Sequence, residues 1–162
     1  RWRRWQFSRR LTKRTLFNKL DDLADRDLDQ GENGPYVDSF DLFARLMDDP
    51  VYGPKLNGDI SAMTQLNRAG PVLEAVLARE DWHARLHNGS DYPLPGVMPL
   101  FSVTYMVQLG LIPETAVPVL TEIRKHNPLL FDFVLKRHLS FKGKRFAKSV
   151  FETRRFFEKK SA

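Results

Sequence analysis

The amino-acid sequence predicts an all-α protein of about seven to eight helices, joined as antiparallel hairpins. Three observations predict this. Apolar residues recur at i, i+3 and i+4 in successive windows. Pro, Gly and Asn fall between those windows, where helices stop and start. No window alternates apolar and polar residues for long enough to read as a strand.

Leu11, Thr15, Leu16, Leu20 and Leu23 predict an amphipathic helix over about residues 8–25. Asp27 to Pro35 is polar, contains Gly31, Asn33 and Gly34, and reads as a loop. Asp38 or Ser39 can cap a second helix whose face carries Phe40, Phe43, Leu46 and Met47, stopped by Pro50. Asp59 can cap a third helix through about Ala69, closed by Gly70. Pro71 suits the first turn of a fourth, marked by Val72, Ala75, Val76, Trp82 and Leu86 and ended at Asn88-Gly89.

Residues 88–96 carry two Gly and two Pro and read as a loop. A fifth helix is expected from about Val97 to Leu109, ended by Gly110. A sixth begins at Pro113 with Glu114 in its first turn, where Pro118 should kink it or delay its regular start. Asn127-Pro128 opens a seventh, with Leu129, Leu130, Phe133, Val134 and Leu135 apolar. A basic helix is expected over Lys142 to Lys160. The organisation read from this pass is a basic aromatic arm over 1–7, a helical-hairpin domain over 8–140 and a basic C-terminal helix over 141–162.

Charge is unevenly placed. Residues 1–20 hold eight bases and no acid, while residues 21–60 hold eleven acids and three bases. Residues 121–162 hold twelve bases and four acids. Basic ends around an acidic and neutral body suggest a protein that holds something larger. The first twenty residues are Arg-rich, acid-free and hydroxyl-bearing, as are segments in and just after mitochondrial transit peptides. The expectation is a mitochondrial matrix protein, although an ordinary basic arm has the same composition. There is no cysteine, which excludes disulfides and thiolate chemistry. No stretch is apolar enough for a transmembrane helix.

Catalytic grammar is absent. No Walker A loop, dinucleotide glycine fingerprint or nucleophile elbow occurs, so no enzyme and no cofactor are expected. His83 and His87 have the i, i+4 spacing of a helical metal pair, but neither a catalytic Glu between them nor a third ligand accompanies them. The acidic run from Asp21 to Glu32 lacks a calcium-loop frame: starting at Asp25, position six is Gln30 and position twelve is Tyr36.

The ends carry the binding candidates. Trp2, Arg3, Arg4, Trp5 and Phe7 alternate guanidinium with aromatic rings. Lys144, Arg145, Phe146, Phe151, Arg154 and Arg155 repeat the combination, with Phe146, Val150 and Phe157 along one side of the expected last helix. Such segments suit a protein groove, where Trp and Arg anchor contacts. They also suit RNA, through stacking and phosphate pairing, and a basic helix can touch anionic lipid.

Two segments share a grammar. Gly70, Pro71, Glu74 and Ala75 in one, and Gly110, Pro113, Glu114 and Ala116 in the other, close one helix and open its partner. This resembles the pentatricopeptide-repeat hairpin, which joins its helices with Gly and places Ala five residues later, at a close crossing. The second copy has one extra residue before Ala116, and an irregular helical bundle accounts for the pattern equally. In length, hairpin character and cysteine-free basic ends, the chain is similar to small accessory subunits bound to the α-subunit of euglenozoan mitochondrial ATP synthase heads. That resemblance implies a non-catalytic subunit of a large protein complex, with ATP synthase subunits as partners. The alternative is a mitochondrial ribosomal or other RNA-binding protein.

Overall fold

The computed structural model describes residues 24–154 and residue 158. The expected helix over 8–25 lies almost wholly outside them. The fold is mixed, not all-α: among the described residues, five α-helices and several 3-10 turns accompany two small two-stranded sheets. The chain divides into two compact units between Leu56 and Asn57.

In the first unit, β1 (Ala24–Arg26) pairs antiparallel with β2 (Tyr36–Asp38), in the register Asp25 opposite Val37. The expected loop joins them through a 3-10 turn, Leu28–Gln30, capped by the Asp27 side chain. Gly34 closes the turn, because a Cβ there would run into the Asp27 carbonyl. Asp38 then caps α1 (Ser39–Asp48), accepting from the Phe40 N–H at 2.6 Å. Phe43 and Met47 form its buried stripe. Arg45 reaches back with both terminal nitrogens to Asp27, at 2.9 and 2.6 Å. Helix and hairpin are therefore held together by a bidentate pair.

The second unit departs furthest from expectation. The third helix does not form. Asp59 instead accepts from the Ser61 N–H, the Ser61 hydroxyl and the Gly89 N–H through one carboxylate oxygen. Such local side-chain bonding competes with a helix start. Gly58–Asp59 becomes β3, parallel to β4 (Leu86–His87). Gly70, with φ +100°, opens α2 (Pro71–Ala78) and does not close a preceding helix. Ala75 is half-buried. The fourth helix stops at Ala78 and continues as a 3-10 turn, Glu80–Arg85, into β4.

The apolar run around Pro99 is irregular. Proline has no N–H for a helix interior, and α3 (Val103–Gln108) starts only where the Ser102 hydroxyl caps the Tyr105 N–H. Gly110 follows it with φ +70°. A turn at Glu114–Ala116 precedes α4 (Val117–His126), so Pro118 sits at the helix start, as a delayed start requires. Asn127 caps α5 (Pro128–His138), which packs on α4 as a helical hairpin. The core holds Leu73, Leu77, Trp82, Leu86, Phe101, Met106, Leu111, Leu120, Phe131 and Leu135.

The expected C-terminal helix is also corrected. Lys142 (φ +48°) and Gly143 (φ +79°) form a two-residue turn, and Phe141 and Lys144 exchange both backbone hydrogen bonds. A 3-10 turn follows at Lys148–Phe151. Phe146 and Val150 are both buried in the second unit's core.

Candidate partner-binding site

Helix α5 carries more apolar side chains than its packing can cover. Phe131, Leu135, Asp132 and Lys136 face inward. Leu129, Leu130 and Phe133 are left 51%, 45% and 40% exposed. Phe133 meets the Phe151 ring edge-on at 5.4 Å, and Phe151 in turn meets Phe146 at 6.4 Å. The Arg137 guanidinium lies 5.1 Å from the Phe151 ring centre. An aromatic row therefore runs from the core to the surface beside the exposed leucines.

An open cavity of about 380 Å³ adjoins this row, with Asn88, Ser90, Leu129, Leu130, Asp132 and Phe133 among its walls. Asp132 and Lys136 are enclosed behind it and bonded at 2.7 Å, with 1% and 0% of their side chains exposed. Lys136 also donates to the Gly89 carbonyl, pinning the 88–90 loop to the helix. Burial pushes the Asp132 carboxyl above the ordinary aspartate range, against the pull of Lys136. Asp132 Oδ1 and Asn88 Oδ1 are buried without a hydrogen-bond partner. Such atoms are uncommon in folded proteins and call for an explanation.

Of the expected binding residues, Trp2, Arg3, Arg4, Trp5, Phe7 and Arg155 lie outside the described residues. Lys144 is tied down, donating to the Ala78 carbonyl at 3.1 Å and pairing with Glu80 at 3.2 Å. Arg145 is exposed. Arg154 is paired with Glu158 at 2.6 Å. Phe146 is buried and packs on the His83 ring at 5.5 Å, so it serves the core. Phe151, half-buried, is the expected residue that reaches the α5 patch.

His83 and His87 do not share a helix face, since they lie in a 3-10 turn and a strand. His83 Nδ1 accepts from the Ala147 N–H at 3.2 Å, which leaves the proton on Nε2 to donate to the Val76 carbonyl at 3.0 Å. Both ring nitrogens are thereby committed to the fold. His87 bonds Asn57 through Nε2. No cluster of three metal-ligating side chains occurs among the described residues, and no helix there is long and apolar enough to cross a membrane.

Sequence reasoning missed Asn88, Asp132 and Lys136. An i, i+4 Asp–Lys pair within an apolar helix was the available signal, but that spacing normally describes a solvated surface pair. Compared with known proteins, the chain matches no family model, no curated protein and no solved structure.

Proposed function

We propose that the protein is a non-catalytic subunit of a larger protein assembly. The observation that carries this reading is the exposed apolar start of α5, where Leu129, Leu130 and Phe133 line one cavity and Phe133 meets Phe151. Clustered large apolar side chains beside an aromatic row are what a partner surface covers. The Arg-rich, acid-free first twenty residues favour a mitochondrial assembly. The catalytic head of ATP synthase, through the resemblance in length and basic ends, is the first to test. Native purification from the source cells should bring down other subunits in fixed ratio, identified by mass spectrometry. Recovery only as a free monomer would sink this reading.

An RNA-binding reading rests on the exposed turn that displays Lys142 and Arg145. It is the weaker one, because Lys144, Lys148 and Arg154 are already paired with Glu80, Glu152 and Glu158. Phosphate contacts would give an affinity for RNA that falls steeply with salt.

A further inference from the structure

We infer that the surface joining the loop before α3 to the start of α5 is a contact between two copies of this chain. The inference rests on the binding-subunit reading and names what covers that surface. The 3-10 turn Leu94–Gly96 packs on α5. A Cβ on Gly96 would stand 3.0 Å from the Pro128 ring, so loop and helix meet closely there. Ser90 and Leu129 wall one cavity, which joins the two elements at a second place. In the loop, Leu94, Val97 and Met98 are 36%, 42% and 66% exposed. They extend the apolar surface of Leu129, Leu130 and Phe133 across both elements.

Charge selects the occupant. The chain carries a net charge of +6, so two copies repel wherever their basic surfaces meet. A two-fold contact sets a patch against itself, and any charge near its axis meets its own copy. No Asp, Glu, Lys, Arg or His occurs from Tyr92 to Pro113, so the loop half of this surface is free of that repulsion. Lys125 and His126, just before α5, are already bonded to Glu122. The other bordering charges differ in sign. Asp91 is exposed just before the loop. Arg137 is exposed one turn beyond Phe133 and lies over the Phe151 ring. Two α5 helices meeting antiparallel bring each copy's Asp91 toward the other's Arg137. The surface is thus complementary to itself in apolar content and in charge. Its six apolar side chains give less than the about 800 Å² that each partner contributes to a stable interface, so the pair is weak.

The test is sedimentation velocity of the purified full chain over a range of concentrations. A monomer–dimer equilibrium is expected, with a Kd on the order of 10 μM. Met98→Asp and Leu130→Asp each set like charges against one another in the pair, and each should weaken it at least about tenfold. Both sites are exposed, so circular dichroism should be unchanged. Val51→Asp, at an exposed valine of the first unit, should leave the equilibrium as it is. A chain still monomeric at about 300 μM, well above that Kd, would overturn the inference. So would a dimer indifferent to both Met98→Asp and Leu130→Asp. A monomer that binds lipid vesicles or another protein through these two residues gives the surface to that occupant and overturns it as well. A chain that co-purifies with other subunits yet is monomeric when pure sinks this inference alone. A pure chain that dimerises yet brings down no other subunit sinks the binding-subunit reading alone.

Discussion

Removing the Lys136 ammonium would leave the Asp132 carboxyl enclosed without its bonded cation. Breaking one side of a buried pair costs about 3–5 kcal/mol, most of it the burden of the charge left behind. Lys136→Met should therefore lower stability by that order near neutral pH, measured by urea unfolding. The sign with pH follows from the carboxyl. Its folded pKa is already raised by burial, so its contribution is fully present below about 3.9 and is lost as pH rises through the folded value. The loss caused by Lys136→Met should shrink as the solution is acidified, because a protonated Asp132 no longer needs the ammonium. A loss that is the same at all pH values would show that Asp132 is not the group left stranded.

Asp27 works in the opposite direction. Its hydrogen bonds from Arg45 hold its carboxyl below the ordinary range. The stability this contributes is present above about 3.9 and is lost as pH falls through the lowered folded value. Asp27→Asn should loosen the hairpin and α1 at neutral pH and converge with the parent protein in acid. Hydrogen exchange of the α1 amides is the direct measurement.

At the scale of elements, the legible parts were those with a cap or a breaker in the right place. Asp38 announced α1, Pro118 announced the late start of α4, and Asn127-Pro128 announced α5. The strands could not be read. Those of the second unit are two residues long, and those of the first are three, too short for alternation to show. Phe146 and Val150 have helical spacing and are buried, yet the chain reaches them through a turn and a 3-10 segment. The pattern identified what is buried and misidentified the backbone that buries it. Of the site, Phe151 alone was a binding candidate in the sequence; Leu129, Leu130 and Phe133 read as an ordinary apolar helix face, and nothing in the local sequence brings Asn88 to Asp132. The turn at Lys142-Gly143 can be tested directly. Gly143→Val forces a β-branched residue to φ +79° and should cost about 1–2 kcal/mol. Lys142→Asn should instead gain a few tenths, because Asn tolerates the left-handed region. Equal thermal melts for the two variants would mean that the turn adopts another geometry.

At the scale of the whole molecule, the proposed assembly and the fold draw on different residues. Phe146 and Val150 hold the second unit together, while Leu129 and Leu130 lie at its surface. Leu129→Asp combined with Leu130→Asp should change the unfolding free energy by less than about 1 kcal/mol, each site being within the usual surface range. The same pair should release the protein from the proposed assembly, read as a shift to monomer size in native gel filtration. Retention in the assembly would move the attachment point to the basic ends.

The hydrogen bond from the Ala147 N–H to His83 spans 64 positions of chain, and the Asn88 N–H bonds the Val150 carbonyl. These long-range closures impose an order on biosynthesis. A ribosome releases the chain from its N-terminal side, so His83 waits, one ring nitrogen unanswered, until residue 147 has emerged. Nascent chains stopped short of residue 146 should stay sensitive to protease across the second unit, whereas chains extended past residue 154 should resist it. The segment holding Phe146 and Val150 is thus a late-made closure on which the rest of the second unit depends.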